Sequence, residues 1–581
     1  MKKAMRLASI ILMVALIFSF AGGCTPSGQN ATISTQGTQD GTPTKEDEKK
    51  TGPSWSWDTS PFEIKNWYVG VPTFNKEWDP ENCMLDKIIF DKTGLEKVEF
   101  TISATAQNEK LNAMIASNSM PDVITVVVNN SKELIKILEE EGLVESLFDL
   151  MEEHAPTFTD EAKKAETMVN YWMREDGKMY GIPNRSATGR EERVVPKYTT
   201  LRTYARKDYM EQLNIKPEDL NTQDGMVEAL KKFKDSGITD DGAYVYPMLM
   251  TEIKKPYTDY EFVAQHFGFS NEDDQGNYVQ AIKDPKYYEM LQFMNRLFRE
   301  GVFTERNIIM KLAEAREIAA SSRFFLHFGH DAITSQCRDA TKTTNGEIYY
   351  LPVGPVRSND GGDPAFALES GGTGWAVTYI TKNATNKDRI IKLMEFLYSR
   401  EGNILCHFGV EGETYEIDKD GLYTHTDNYK KELAADRALA EKKYGLGTFW
   451  MLDDRVFINS INKDNFTPYD DMEIQLQMFE DINKNSERYS YINDCYHHKN
   501  VDPEAGTPES DINAQVNIYL DQQVIKIISA KTAEEFDSFY EEGVKRAEEL
   551  GLNELWEVQN ANYQAMKKKL GVDFAFPRNK N

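Results

Sequence analysis

Residues 121–128 read Pro-Asp-Val-Ile-Thr-Val-Val-Val, and this is the stretch that most restricts what the chain can become. A run from Val123 to Val128 without alternation has no face to give to water, so as a strand it must be buried on both sides. That is the condition of a strand inside a parallel sheet covered by helices. Its neighbours supply such a sheet. Phe62 to Gly70 alternates enough for a strand, Met84 to Lys92 carries apolar residues at helical spacing, and Lys97 to Ile102 reads as a second strand. Asn108 to Ser117 is a helix before the buried run, and Ser131 to Glu141 is one after it, closed by Gly142. The order from Pro61 onward is βαβαβα, which predicts an open α/β sheet.

Turn and strand signals follow. Asp176-Gly177-Lys178 is a turn, Met179 to Pro183 a short strand leading into Asn184 and Arg185, Thr199 to Ala205 a strand and Lys207 to Leu213 a helix. From about Asp224 to Ala320 the pattern is rich in helix, including Pro285 to Glu300 with Tyr288, Leu291, Met294, Leu297 and Phe298 on one face. Strand-like runs return at Phe324 to Phe328 and Gly374 to Ile380, and Lys387 to Tyr398 is amphipathic. Near the end Thr532 and Glu535 form a capping-box pattern, and Gly551 separates two helices.

At 581 residues there is chain enough for two or three domains, and a net charge of -27 opposes binding to phosphate backbones or anionic headgroups. Nucleic acid is excluded as a partner on that ground. Beyond the N-terminal segment only Cys83, Cys337, Cys406 and Cys495 remain, without metal-ligand spacing and too few for a disulfide framework, so free buried thiols are expected.

The N-terminus is a targeting segment. Lys2, Lys3 and Arg6 precede an uncharged apolar run from Leu7 to Phe20, too short for a comfortable permanent span, which needs about 20 apolar residues. Ala21-Gly22-Gly23-Cys24 then resembles a bacterial lipobox, with Ala21 in place of the usual leucine; the resemblance implies a signal peptide over 1–23 and a diacylglyceryl group on Cys24. Thr25 to Pro53 is polar with little to bury and reads as a disordered tether, holding the folded body about 30 Å from its anchor at ~5–6 Å × √n.

Several stretches together resemble the large extracellular solute-binding lipoproteins of ABC importers, family 1, of the oligosaccharide type. They are Lys92-Thr93-Gly94, Ser119-Met120-Pro121-Asp122-Val123-Ile124, Asp176 to Pro183, Tyr204 to Tyr209 with Leu213-Asn214-Ile215, Gly374-Trp375-Ala376-Val377-Thr378, and Tyr398 to Gly402 through Phe408 to Tyr415. The resemblance implies a periplasmic-binding-protein-like α/β fold of two lobes joined by a hinge, with helix-rich insertions and C-terminal helices. It divides the chain into a lipidated N-terminus and tether over 24–58, a first lobe over 59–195 and a second over 196–581, with return crossings near 330–380. The implied partners are an oligosaccharide and the permease subunits of an ABC transporter. The lipid anchor is the only membrane contact implied, on the extracellular face of the cell membrane, and a monomer is expected.

A sugar site needs flat apolar faces for C–H surfaces and planar polar groups for hydroxyls. Trp67, Trp78, Trp172, Tyr180, Trp375, Tyr415 and Trp450 are aromatic residues in polar contexts near strand ends. Trp375 stands out because Ser370-Gly371-Gly372-Thr373-Gly374 leads backbone close to something before a strand begins. The candidate ligand-binding set is therefore Trp375, Trp67, Trp78, Trp172, Tyr180, Asn184, Arg185, Glu411 and Tyr415.

Catalytic signals are weaker. The pairs Asp240-Asp241, Asp273-Asp274 and Asp453-Asp454 read as turns, the pairs His327/His330 and His497/His498 lack a third zinc ligand, and no nucleophile elbow is present, so the chain is expected not to be an enzyme. A surface-anchored polysaccharide hydrolase or lyase is the alternative. No cofactor is expected, with a structural calcium left open: the segment Phe233 to Gly242, which the resemblance places at a calcium loop, has Ile238 inside it and loses most alternating oxygen ligands. Asn271 to Asn277 is acidic but reads as a hairpin turn.

If Cys24 carries the lipid, its two acyl chains supply stable anchoring. Cys24→Ser is expected to move the mature chain from the membrane to the soluble fraction on a blot without changing its melting temperature.

Overall fold

The computed structural model describes residues 51–576 apart from 73, 104–107, 187, 191–202, 252–258, 330–332, 334–335, 338–339, 341–347, 368–372, 464–489, 492–494 and 497–499. The signal segment, Cys24 and most of the tether lie outside these residues, as do His330, His497, His498, Gly371 and Gly372. Among the described residues no helix is long and apolar enough to cross a membrane.

Two sheets organise the chain. The first has five strands: β1 (Phe62–Val69), β2 (Leu95–Ile102), β3 (Val123–Val127), β4 (Gly181–Pro183) and, far along the sequence, Ala376–Ile380. The second has four: β5 (Thr203–Arg206), then Tyr246–Leu249, Phe324–Phe328 and Tyr350–Pro352. Between the first and second of these strands lies a small hairpin, β6 (Thr239–Asp240) with β7 (Ala243–Tyr244), so the second sheet's remaining strands are β8 (Tyr246–Leu249), β9 (Phe324–Phe328) and β10 (Tyr350–Pro352). A two-residue strand β11 (Phe366–Ala367) comes next, and the strand returning to the first sheet is β12 (Ala376–Ile380).

In the first sheet the order is β2-β1-β3-β12-β4. The first three strands are parallel, with helices Met84–Thr93 and Glu109–Ala116 as crossovers. The return strand β12 lies antiparallel between β3 and β4. Most of the run read as doubly buried is so: Val123, Ile124, Thr125 and Val126 are buried, but Val127 is partly exposed at the strand end, and Val128 opens a short 3-10 turn instead of extending the strand. Thr125 is tolerated there because its Oγ1 accepts the Trp67 indole N–H at 2.9 Å and bonds Thr378 Oγ1 at 2.9 Å. A buried hydroxyl without such partners would cost about 1–3 kcal/mol.

The lobe division differs from one drawn as consecutive blocks. Helix Lys387–Tyr398, residues Leu405 and Cys406, and Phe449 to Leu452 pack into the core of the first sheet, so the chain from β12 to about Ile461 builds on the first lobe and not the second. Helices Gln223–Ser236 and Pro285–Arg299 share a second core with β5, β8 and β9, joined by the C-terminal helices Pro508–Ile528 and Ala533–Glu549. Pro285–Arg299 starts with Asp284 Oδ1 accepting from the backbone of Lys286 and Tyr287, with Pro285 at the position where a missing N–H costs nothing. The tether also ends sooner than residue 58. Ser54 is fully buried, its N–H donates to Thr157 Oγ1 at 2.7 Å and to Glu395 Oε1 at 3.2 Å, and Trp55 packs edge-on against Phe396. Cys83, Cys337, Cys406 and Cys495 are buried and form no disulfide among the described residues.

The last helix, Leu552–Leu570, touches both cores: Leu552 belongs to the second, and Met566 and Leu570 pack against the first. It is locked by an ion pair, Lys567 Nζ to Glu272 Oε2 at 2.8 Å, with both side chains almost wholly buried. Glu272 also accepts from Tyr563 Oη at 3.0 Å and from the Ala575 N–H at 2.8 Å. Removing one partner of a buried pair leaves a charge without its counter-charge, at a cost of about 3–5 kcal/mol. Lys567→Met is expected to lose about 3 kcal/mol of stability in urea unfolding, since Glu272 keeps its other donors; a loss below about 0.5 kcal/mol would show that the pair does not hold the helix.

Candidate functional site

Carboxyl ends of β1 and β4 and the start of β12 meet at one edge of the first sheet, because Ala376 at the start of antiparallel β12 pairs with Val127 at the end of β3. Open α/β sheets bind ligands beyond such strand ends. Here Val71 and Phe74 follow β1, Asn184 and Arg185 follow β4, and Trp375 precedes β12; together with Gly447, Trp450 and Arg455 they line a pocket of about 310 Å³. Asn184 directly follows β4 and Trp375 directly precedes β12, so the pocket lies against this end of the first sheet.

Its centre is the indole pair Trp375 and Trp450, stacked with centroids 4.5 Å apart and planes 20° from parallel, both partly exposed. Trp375 is placed by Asn184, which is 1% exposed: Asn184 Oδ1 accepts the backbone N–H of Trp375 at 2.9 Å and of Ala376 at 3.0 Å. Gly374 makes this approach feasible. Its φ is 61°, and a Cβ there would lie 2.4 Å from the Asn184 carbonyl oxygen and 2.8 Å from Pro183 Cβ. Trp450 is placed from the other side by its neighbours. Phe449 sits 6.2 Å from Trp67 and 6.5 Å from both Trp78 and Phe100, and Met451 and Leu452 are buried in the same core, so the turn Trp450–Leu452 can leave only its first ring in the pocket.

Beneath the pair lie two acids that read in sequence as a solvated turn and are instead buried, Asp453 at 2% and Asp454 at 1%. Asp453 Oδ1 accepts the Arg185 N–H at 2.9 Å, and its Oδ2 faces Arg455 Nη2 at 2.7 Å and His407 Nε2 at 3.5 Å. Burial opposes its charge, but Arg455, His407 and the Arg185 N–H outweigh this and hold the carboxyl down to about 2. Asp454 Oδ2 accepts from Thr188 Oγ1 at 2.6 Å and pairs with Arg190 Nη2 at 2.9 Å, while its N–H donates to Asn403 Oδ1 at 2.7 Å. The segment leaving β4 is thus bolted to the strap that carries Trp450. Arg185 adopts a left-handed φ of 56°, a conformation that the bond from its N–H to Asp453 maintains.

The other sequence candidates lie elsewhere. Trp67 is a correction in plain terms: it is fully buried, with its N–H spent on Thr125, and presents no face to a ligand. Trp78 is partly exposed but packs on Phe449 and donates to the Glu96 carbonyl at 3.0 Å, outside the pocket lining. Trp172, 4% exposed, donates to the Thr373 carbonyl at 3.2 Å and so anchors the stretch before Trp375 from behind. Tyr180 donates to Asp176 Oδ2 at 2.6 Å on an exposed turn, a bond that pushes its phenol up to about 12. Glu411 is exposed at a turn bridged to Tyr415, and Tyr415 stacks on Tyr423 at 5.1 Å in a hairpin of its own, β13 (Tyr415–Ile417) with β14 (Tyr423–His425). Arg455 and Phe74 were not signalled in sequence; only the Phe-Trp-Met-Leu-Asp-Asp-Arg run at 449–455, apolar rings directly against three charges, could have drawn attention to the strap.

For a metal the structure offers little. The segment from Phe233 ends its helix at Ser236 and turns back as the β6–β7 hairpin through Asp241 and Gly242, with φ of 47° and 79°, the geometry of a two-residue hairpin turn. Asp273 caps its own loop, accepting from the N–H groups of Gln275 at 2.9 Å and Asn277 at 2.8 Å. Among the described residues no group of three or more His, Cys, Asp or Glu side chains is placed to hold a metal ion.

The depressed Asp453 has a consequence for acid stability. A carboxyl with its folded pKa below the unfolded value stabilises the fold above the unfolded value, near 3.8, and that stabilisation is lost as pH falls through about 2. Asp453→Asn is expected to remove about 2 kcal/mol of stability at neutral pH and to flatten the loss between about pH 4 and 2, read from urea unfolding at each pH. An acid limb identical to that of the unsubstituted chain would show that Asp453 carries no such load.

Residues 71–302 match the family model described as bacterial extracellular solute-binding protein. No curated protein matches the sequence. Solved structures do match in fold. The alginate-binding protein AlgQ2, solved without calcium ion, is 18% identical with a TM-score of 0.60, over 88% of this chain and 99% of that one. An HMO-binding, ABC-transporter-associated solute-binding protein from Bifidobacterium longum infantis is 16% identical with a TM-score of 0.58, over 87% and 99%. The S. pneumoniae ABC-transporter substrate-binding protein FusA, an EF-hand mutant in complex with fructo-nystose, is 15% identical with a TM-score of 0.61, over 87% and 100%. Residues 71–302 are thus similar to the bacterial extracellular solute-binding proteins, and the chain has the two-lobed α/β fold of these solved structures.

Proposed function

We propose that this protein captures an oligosaccharide in the pocket around Trp375 and Trp450 and delivers it to the permease subunits of an ABC transporter, held at the extracellular face of the cell membrane by a lipid on Cys24. The observation that carries this reading is the stacked indole pair, left partly exposed beside the buried Asn184, Phe449, Met451 and Asp453. Leaving two large aromatic faces open to water is unfavourable for folding alone, and flat apolar faces ringed by planar polar groups suit sugar rings. The ligands named for the structural relatives, alginate for one and fructo-nystose for another, point the same way. Binding between two lobes gives a hinge to close, and a closed form for a permease to recognise.

The hydrolase or lyase reading finds no support in the acids nearest the pocket. Asp453 is held ionised and paired with Arg455, so it has no proton to give at neutral pH, and Asp454 is buried and spent on Thr188 and Arg190. The mature chain from residue 25, incubated with a panel of oligosaccharides, is expected to bind at least one and return it unchanged on chromatography. New reducing ends that disappear with one carboxylate substitution would establish the enzyme instead.

Trp375→Ala is expected to lower affinity for that oligosaccharide at least tenfold, about 1.4 kcal/mol, with little change in melting temperature. Unchanged affinity with a strongly lowered melting temperature would make the indole a packing residue only.

A further inference from the structure

A second cavity, of about 90 Å³, lies beside the core of the second lobe and shares no lining residue with the Trp375–Trp450 pocket. Two helices give it their inward faces. Pro508–Ile528 contributes Asn513, Val516, Asn517 and Leu520, and Leu552–Leu570 contributes Leu552, Leu555 and Gln559, in each case at the spacing of one helix face. A face turned to a core is expected to be apolar along its length. Amides interrupt both of these, and Gln280 and Tyr287 meet them from the opposite wall.

These polar groups are buried and only partly used. Gln280, Gln559 and Tyr287 are 8%, 7% and 6% exposed. Gln280 Nε2 donates to the Leu552 carbonyl at 2.8 Å and to Gln559 Oε1 at 3.0 Å, which leaves Gln280 Oε1 and Gln559 Nε2 without a hydrogen bond among the described residues. Tyr287 Oη has none there either, and burial pushes its phenol well up, so it stays a hydroxyl that can both give and accept. At the rim Asn517 Nδ2 donates to Asn513 Oδ1 at 3.0 Å, which leaves one further acceptor and one further donor. Polar atoms in a core are unfavourable without partners, and the cavity is the space in which these can find them. Its volume is several times the ~10–15 Å³ that one water needs. No Lys, Arg or His lines it, so an anion would meet no counter-charge, and the carboxylates that do, Glu261 and Asp502, are engaged by partners of their own. An acceptor, a donor and a hydroxyl in one small enclosure suit a neutral molecule whose own hydroxyls both give and accept.

We propose that this cavity is a second binding site, separate from the Trp375–Trp450 pocket, for one small neutral polyhydroxyl molecule held by Gln280, Tyr287 and Gln559. The chemistry is shared by cyclic monosaccharides and open-chain polyols, and the test distinguishes them. The mature chain from residue 25, unsubstituted and as Trp375→Ala, would be titrated calorimetrically with a panel of each, and with gluconate and choline as charged counterparts. At least one neutral member is expected to bind with a Kd below about 1 mM, equally in both chains, and its panel tells ring from open chain. Tyr287→Phe removes only the hydroxyl and keeps the ring that packs on Phe269 at 5.7 Å, and should weaken that binding at least about fivefold. Gln559→Leu should do the same; a melt accompanies both, and Tyr287→Phe decides the matter where Gln559→Leu fails to fold. Binding of no neutral member shows that the cavity takes water only and overturns the proposal. So does binding that is lost in Trp375→Ala, binding untouched by Tyr287→Phe, or tighter binding of gluconate or choline. None of these outcomes bears on oligosaccharide capture at Trp375, which the unsubstituted chain tests with oligosaccharides alone.

Discussion

The antiparallel insertion of β12 between β3 and β4 is the constraint on which the rest depends. A strand from residue 376 completes a sheet begun at residue 62, so the first sheet cannot close until the chain has passed through β5 to β10 of the second and come back. The register is held inside the core by the chain of bonds from Trp67 to Thr125 to Thr378. A slip by one residue would turn every side chain of β12 to the opposite face, strand these hydroxyls, and carry Trp375 away from the pocket.

What the return strand places, the strap at 447–455 completes. Its apolar residues, Phe449, Met451 and Leu452, are anchored in the first core, while Asp453 and Asp454 fasten the segment leaving β4 through Arg185, Thr188 and Arg190. Buried ion pairs of this sort add little net stability against an apolar alternative. Their effect is positional: they hold the crossing segment, the left-handed Arg185 and the Trp450 ring in one arrangement, so a ligand meets a wall already in place. The last helix acts on a larger scale. By packing on both cores and pinning itself through Glu272 and Lys567, it limits how far the lobes can part.

Local chemistry made much of the fold legible. Strand Phe324–Phe328 and helix Lys387–Tyr398 have the bounds that their patterns predict, because a continuous apolar run and a 3.6-residue period each admit one solution over such lengths. Trp375 and Asn184 were legible as candidates because a glycine beside a strand end marks a close approach of backbone. The partners they meet were not. Trp450 is 75 residues from Trp375 in sequence, and Asp453 touches Arg185 across 268 positions, contacts that no window of sequence contains. Trp67 and Trp375 are the same residue type, both at strand ends, yet one is sealed under Phe100 and Phe449 while the other opens to the pocket.

Taken alone, the amino-acid sequence determined the α/β class, the order of strands and helices in the first lobe and the net negative charge, since each follows from periodicity, burial capacity or composition. Only the tertiary structure decided which aromatic rings face the pocket, that Asp453 and Asp454 are clamps and not a solvated turn, and that the chain from β12 to about Ile461 packs with the first lobe. The physical reason is common to all three. Exposure and pairing are properties of what packs against a residue, and here the packing partners come from segments that the chain brings together only after it has crossed between lobes and returned.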